Sequence, residues 1–579
     1  MSISVLSKLA KYVNQLINDA GIRANLADST KGSSIVSWIR SNLATAIEDT
    51  VGKKLSQAQV DIWDFSKLVT IRPDPNLPST WNWTQAIEAA RVVLGSMGGG
   101  EITFGTGGIY QASSIRLDRF MVLNGRGVNT TELKQIAGTN SDFIKSENFD
   151  ALTGSGLTVV DPRVPSWMGL KDIRVNGNRY EATLNPSGNT SGVVLKMYGP
   201  AQLLYGNVMI FGGASGGIYT EDAAAASGIG WQAQEEGRFD DVLVMDNGGF
   251  AGWHCRGPHN STAKSITCGR NDGWNFYSEE STLFGGGFDN IGSLHTYAGG
   301  RATSPASDTG AYLGGIARIG TLVSDGDNVS FVADNIQISK WRAFNLGGVT
   351  ESIISGNDCQ IDNLNGSVWS GSTGKTALTI TGNNARVAGT LTTNNANNNG
   401  VWIKGTGHKV DMTIRNFSGA GYTGLKLEST DTEVKGKIRN CNTAFNYVSG
   451  TDNQVNLNIA TSAGQVAVAG LAPRLGDRFD IRSRGDTVGG CKTNLRSSQV
   501  AMDITTYTVV PIAHGLLYTP PIEAVRANWL ASSPDSSVWD ESILRVVTTT
   551  ATEVVIGYKM AVAAPAGTLA RIGVTIDLT

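Results

Sequence analysis

Charge is scarce in this chain. Lys and Arg number 47 and Asp and Glu 50 among 579 residues, a formal net charge of −3. That balance gives no general attraction to nucleic acid or to an acidic membrane surface. No apolar run reaches the ~18 residues that would cross a bilayer, so neither nucleic-acid binding nor membrane insertion is expected. Lys8 and Lys11 interrupt the short apolar stretch at the N-terminus, which does not read as a secretory signal. Cysteine is sparse too: Cys255, Cys268, Cys359, Cys441 and Cys491 are odd in number, scattered and without a CxxC pair. Cys255 and Cys441 sit in strand-like blocks that want a small apolar residue, so buried free thiols are expected and nothing demands an oxidising compartment. Asp325-Gly326-Asp327-Asn328 lacks the later bidentate Glu of a calcium loop, and Gly405-Thr406-Gly407-His408-Lys409 lacks phosphate-loop spacing. No metal and no cofactor is expected.

Glycine, by contrast, is abundant: 71 residues beside 15 prolines and 17% charge describe a large, turn-rich β protein of two or three domains. The informative feature is a repeat. GVWIKG at 400–405 is echoed by GLKLES at 424–429, and Thr413-Ile414-Arg415-Asn416 by Lys437-Ile438-Arg439-Asn440, both about 24 residues apart. One short strand per block, with Gly or Asn before each turn, predicts a β-solenoid. In such a coil the inward residues stack on those above and below, and the outward residues form long ladders. Similar blocks recur at GGIYTE (216–221), AGWHCR (251–256), DGWNFYSE (272–279) and TGAYLGG (309–315). A period of two then points Ile218, Thr220, Trp253, Cys255, Trp274, Phe276 and Ser278 inward. Tyr219, Glu221, His254, Arg256, Asn275, Tyr277 and Glu279 point outward, and Tyr312 follows in the next block. Uneven spacing implies insertions at 222–238, 297–308 and 364–374, and long loops on a rigid scaffold are where function concentrates.

The first 65 residues differ. Leu6, Leu9, Val13, Leu16 and Ala20 step by three and four. After a polar joint, Ile35, Ile39, Leu43, Ile47, Val51 and Leu55 line one side of a second helical stretch. Seams this short are unstable alone, so they are expected to lean on copies of themselves, on another protein, or on the rest of the chain. Lys54-Leu55 followed by Val60-Asp61-Ile62-Trp63-Asp64-Phe65 resembles the linker that precedes the β-helix in many phage tailspikes. Trp83-Thr84-Gln85-Ala86-Ile87-Glu88-Ala89-Ala90, Gly98-Gly99-Gly100-Glu101-Ile102-Thr103-Phe104, Gly108-Ile109-Tyr110 and Leu123-Asn124-Gly125-Arg126-Gly127 continue the resemblance. They are similar to the opening of the pectate-lyase-like superfamily, where a helix plugs the end of the solenoid and shields core and strand edge. The match covers roughly residues 50–135; Ser66 stands where that pattern has Gly, and the usual proline is replaced near Gly105.

The resemblance implies an all-β protein in three parts. A helical particle-binding or linker segment would span 1–65, a right-handed parallel β-helix with its capping helix 66–495, and a C-terminal β-sandwich 496–579, for trimerisation or carbohydrate binding. HGLLYTPP (514–521), LRVVTTT (544–550), EVVIGYKM (553–560) and ARIGVTID (570–577) read independently as strands of such a sandwich, and His514 before a Gly turn reads as structural. The resemblance further implies a homotrimer in the phage tail of the virion. It would contact another phage tail protein through the N-terminal segment and take a bacterial capsular polysaccharide as its ligand.

Chemistry is expected on the outward face. Rungs ~4.8 Å apart bring carboxylates on neighbouring rungs to the ~5–9.5 Å separations that glycoside hydrolysis uses. The expected catalytic acids are Glu279 with Glu236 or Glu235, and the expected substrate-binding set is Tyr219, Glu221, Trp231, Arg238, His254, Arg256, Tyr277 and Tyr312. Asp240 and Asp241 lie close by in sequence, and crowded acids raise one another's pKa. A solvated loop tip is the plain alternative for Glu235 and Glu236, and a solvated strand face for Tyr277 and Glu279. Two other functions stay open: a polysaccharide lyase with His254 or Tyr277 as base and Arg256 neutralising a uronate, and a non-catalytic receptor-binding fibre.

Overall fold

Alternating apolar residues give each short strand one inward edge, and the stacking of those edges fixes the architecture. The computed structural model describes residues 59–576 except 148, 151–166, 199–201, 222–233, 281–286, 298–308, 327, 345–350, 369–373, 394–396, 463, 472, 475, 485–493, 498–499, 502–506, 514–518, 521, 531–542, 551–552 and 560–568. The helical seams expected before residue 56 lie outside the described residues, as do Trp231, Asp327, Cys491 and His514. The chain is all-β: a right-handed parallel β-helix followed by a C-terminal β-sandwich.

One wall of the helix is a sheet of 14 parallel strands, from Ile115–Leu117 to Val466–Gly470. A second sheet of 18 strands runs from Gln59–Asp61 to Arg478–Arg484. Its strands bend. In Gly169–Asn176 the buried apolar positions are Leu170, Ile173 and Val175; in Leu204–Phe211 they are Tyr205, Val208 and Ile210. The step of three marks a corner, where Asp172, Asn207 and Asp241 stack with φ of 50°, 51° and 52°. Asn and Asp enter this left-handed region more readily than other non-glycine residues. The sequence repeat is one coil: Val401 lies opposite Leu425 and Lys404 opposite Glu428, while Thr413, Ile414 and Arg415 lie opposite Lys437, Ile438 and Arg439.

The N-terminal end is closed by the helix Thr84–Ser96, which buries Ala86, Ile87, Ala90 and Leu94. Trp63, Trp81, Trp83 and Tyr110 pack against one another with ring centroids 5.0–6.1 Å apart. The strand Gln59–Asp61 leads into this cap, pairing with Glu101–Thr103, and Asp61 caps the following 3-10 turn by accepting from the Trp63 N–H at 2.9 Å. At the other end two antiparallel sheets share a core of Ile512, Val525, Val554, Ile556, Tyr558, Ile572 and Val574. Cys255, Cys268, Cys359 and Cys441 are buried free thiols in the coil, as expected for the two that were singled out.

Three expectations need correction. Leu364–Val368 is not insertion but the end of the strand Gln360–Val368. The strand before the sandwich turn is Thr508–Ala513, and Thr519-Pro520 within HGLLYTPP is not strand. At the start of Trp274–Glu279 the alternation is inverted: Asn275 is buried and Trp274 is only half-buried.

The inversion at Asn275 has a cause that also positions the neighbouring strands. Gly213 N–H donates to Asn247 Oδ1 at 2.8 Å. Asn247 donates to Asn271 Oδ1 through both its backbone N–H and Nδ2, each at 3.0 Å. Asn271 Nδ2 donates to Asn275 Oδ1 at 3.0 Å, and Asn275 Nδ2 to the Tyr297 carbonyl at 3.2 Å. This buried amide ladder satisfies turn backbone across four coils, and a buried polar group stripped of its partner costs about 1–3 kcal/mol. Asn271→Leu is therefore expected to destabilise the protein by about 3 kcal/mol, read as a lowered unfolding midpoint. Unchanged stability would show that the ladder carries no weight.

Candidate functional site: an aromatic and charged stripe on the 14-stranded sheet

Parallel register puts side chains of one column directly above one another. On the outer face of the 14-stranded sheet Lys196 lies opposite Tyr219, Tyr219 opposite His254, His254 opposite Tyr277 and Tyr277 opposite Tyr312. The inner face of the same strands holds Ile218, Trp253, Phe276 and Ala311, all buried, so the period of two turns the polar column outward. Its rings touch in sequence. Tyr219 and His254 have centroids 5.2 Å apart, His254 and Tyr277 5.1 Å, and Tyr277 stacks on Tyr312 at 4.2 Å and 14°.

Arg256 is the hub of the charged part. Its Nη1 contacts Glu221 Oε1 at 2.5 Å and its Nε contacts Glu279 Oε2 at 2.9 Å. The other oxygen of Glu279 lies 3.3 Å from His254 Nε2, and the Tyr219 hydroxyl donates to Glu221. Hydrogen bonding from His254, and then from Arg256, outweighs burial and holds the Glu279 carboxyl below its ordinary range. Burial raises both Tyr219 and Tyr277 to about 12, helped by the Glu221 contact for the first and by the Tyr312 neighbour for the second. Both phenols stay protonated at neutral pH and able to donate hydrogen bonds.

The structure brings together Tyr219, Glu221, His254, Arg256, Tyr277, Glu279 and Tyr312. Glu236 is exposed on the adjoining turn, with φ of 52°, and its carboxylate accepts from Gln202 Nε2 at 2.7 Å. Its backbone is tied to the stripe at one remove: Glu236 N–H bonds to the His259 carbonyl and Gly257 N–H to the Glu279 carbonyl, both at 3.2 Å. Glu235 lies opposite His259 in a two-stranded ladder. Arg238 begins a strand of the other sheet and is exposed there, and Asp240 and Asp241 follow it. Sequence reasoning missed three rings. Phe250, 53% exposed, packs 4.8 Å from Tyr277 and 5.1 Å from His254. Trp274 lies 5.7 Å from both Tyr277 and Tyr312, and Phe149 flanks Tyr219 at 6.4 Å. An aromatic directly after the Gly248-Gly249 turn was the available signal for Phe250; Phe149 offered none. Among the described residues no group of three or more His, Cys, Asp or Glu side chains could hold a metal ion.

No protein-family model matches the chain, and no curated protein sequence does. Solved structures do. The tailspike protein of E. coli bacteriophage HK620, in complex with a pentasaccharide, is similar at 11% identity over 90% of this chain and 93% of that one, with a TM-score of 0.49. The A-modules of the Azotobacter vinelandii mannuronan C-5 epimerases AlgE4 and AlgE6 are each 12% identical over 74% of this chain. They are covered to 96% and 94% of their own length, with TM-scores of 0.32 and 0.30.

The lowered pKa of Glu279 fixes the sign of a pH effect. A carboxyl whose folded pKa lies below its unfolded value of about 4.3 contributes stability that is present above that value and lost as pH falls through the folded pKa. The stability difference between the wild type and Glu279→Gln is thus expected to stay constant from about pH 7 to about pH 5 and to vanish in stronger acid. Unfolding midpoints of the two proteins across that range provide the check; a difference that grew on acidification would contradict the ion-pair geometry.

Proposed function

We propose that this chain is a phage tailspike depolymerase, a homotrimer of the virion tail that binds and endo-cleaves a bacterial capsular or surface polysaccharide by hydrolysis. One observation carries the proposal: a column of in-register rings beside the Glu221–Arg256–Glu279 network. Three rung spacings separate Tyr219 from Tyr312, about 14 Å of straight wall, the form of a site for an extended polymer. Ring edges and faces suit the apolar faces of sugars, and the flanking charges suit their hydroxyls. The resemblance of residues 50–135 to tailspike and pectate-lyase-like openings supports the same reading.

In this reading Glu279, held ionised, is the general base that activates water. Glu221 is already committed to Arg256 and Tyr219, and orients the guanidinium. Glu236 is the assigned acid, because it stands outside the Arg256 network and its hydrogen-bond donor is the neutral amide of Gln202. Glu235, on the same turn strand, is the second candidate for that role. The lyase alternative has one observation in its favour, the His254–Glu279 contact that would orient an imidazole base. It has one against it: Arg256 is engaged by two carboxylates instead of being open to a uronate.

Glu279→Gln and Glu236→Gln are each expected to retain polysaccharide binding and to lower turnover by ~10² or more, the scale of a lost general acid or base. Tyr277→Phe is expected to weaken affinity more than turnover. Sizing the products from a panel of purified capsules tests this directly, and new ultraviolet absorbance from an unsaturated uronide would identify elimination instead. An unchanged polymer length with intact binding would identify a receptor-binding fibre. Full activity in both glutamate variants would remove the hydrolytic assignment.

Sedimentation at micromolar concentration is expected to show a trimer, since solenoid shafts gain stability by burying their sides against partners. The N-terminal segment would then join another tail protein, and a truncation lacking residues 1–50 is expected to cleave polymer yet fail to assemble onto the virion.

A further inference from the structure

The outward column does not stop at Tyr312. It continues in register through Ser330, Ile353 and Thr379 to Trp402, and then to Lys426 and Asn446. At Trp402 the chemistry changes. Lys404 Nζ lies 3.8 Å from the centroid of the indole ring and Lys426 Nζ lies 5.2 Å from it. The indole N–H donates to Glu428 Oε2 at 3.1 Å, and Glu428 lies opposite Lys404 in register, so one carboxylate borders the cluster. Two ammonium groups thus converge on one ring. A ring quadrupole attracts each cation, while the two like charges repel each other, so a further anion held between them would be stabilised.

The two lysines nearer the other end of the column are satisfied differently. Lys145 is paired with Asp150 at 2.6 Å and Lys196 with Asp142 at 3.2 Å. Among the described residues neither Lys404 nor Lys426 has an ion-pair partner. The strands here sit in unbroken register, Trp402 opposite Lys426 and Lys404 opposite Glu428, so the cluster is built on rigid sheet rather than on a loop. The intervening column is Ser330, Ile353 and Thr379, where Thr379 Oγ1 donates to the Glu351 carboxylate at 2.8 Å.

We infer that Trp402, Lys404 and Lys426 form a second, distal subsite that takes an acidic sugar unit, its carboxylate between the two ammonium groups and its ring beside the indole. The inference rests on the reading of this column as a polysaccharide track, and it deepens that reading by giving the polymer a charge. Five rung spacings separate Trp402 from Tyr277, so the distal subsite grips the chain ~24 Å from the proposed point of cleavage. A bound polymer must reach that far to use it. The substrate class is accordingly an anionic polysaccharide with carboxylate-bearing units, held at two places along one straight wall.

The test uses the full-length protein and a purified capsular polysaccharide, native and after chemical reduction of its carboxylates to alcohols. The Lys404→Gln, Lys426→Gln double variant is expected to weaken binding of the native polymer about tenfold, the scale of one lost charge-assisted contact. KM rises correspondingly while kcat stays within about twofold, because the reacting groups lie elsewhere. Carboxyl reduction of the polymer is expected to reproduce the loss in the wild type and to add little in the double variant. Lys404→Arg, Lys426→Arg keeps both charges and is expected to keep most of the affinity, which separates charge from folding. Equal binding before and after carboxyl reduction, or unchanged affinity in the glutamine variant, overturns the subsite. Calorimetry reads binding and product sizing reads cleavage, so the two proposals fail separately. A polymer that is bound through its carboxylates and these lysines but never shortened would refute the hydrolase and leave the subsite standing.

Discussion

Parallel strands in register leave a side chain no freedom to choose its neighbour. Ile218, Trp253, Phe276 and Ala311 stack in one buried column and Thr220, Cys255, Ser278 and Leu313 in the next. A slip of one residue would bury His254 in place of Trp253, and a buried face specifies register strongly for that reason. Everything on the outer face inherits this constraint. Tyr219, His254, Tyr277 and Tyr312 meet because their inward neighbours must, and the contacts among Glu221, Arg256 and Glu279 follow from the same stacking. The site is a by-product of the core, built on strands whose inner faces are buried.

Within that frame the chemistry depends on which cation occupies position 256. A guanidinium offers several N–H donors in a fixed fork, so Arg256 can hold a carboxylate from the strand before it with one nitrogen and a carboxylate from the strand after it with another. A lysine would offer a single mobile ammonium and could not span both rungs with defined geometry. In the proposed hydrolysis the arrangement also divides labour among the acids. Glu279 is kept ionised by its neighbours, while Glu236 stands outside the cationic cluster. Two carboxyl groups in different electrostatic settings are what acid–base cleavage of a glycosidic bond requires.

How much of this was legible depended on distance along the chain. The period of two is local, so the outward assignment of Tyr219, His254, Arg256, Tyr277 and Glu279 could be read from six-residue blocks, and the echo of GVWIKG in GLKLES became register pairing. What could not be read arose where a turn imposes its own demand. Asn275 turns inward because the buried amide ladder needs it, and that displaces Trp274 onto the stripe. Phe250 and Phe149 reach the stripe from outside the strand pattern, where no periodicity marks them. Asn365, Gly366 and Ser367 hid the end of a strand behind loop-like composition. Pro511 did the same for Thr508–Ala513, a strand that among the described residues pairs on one side only, the place where a sheet tolerates proline.

The buried thiols have a consequence for where this protein can work. Cys255, Cys268, Cys359 and Cys441 each sit inside the coil as a free sulfhydryl, and burial raises Cys359 and Cys441 to about 11, far from thiolate formation at neutral pH. Oxidants and disulfides act on thiolates that they can reach. Among the described residues the coil therefore offers neither a bridge for a reductant to break nor a nucleophile for an oxidant to trap. A protein of this build can pass between reducing and oxidising surroundings. For the described core of this molecule that passage involves no covalent change.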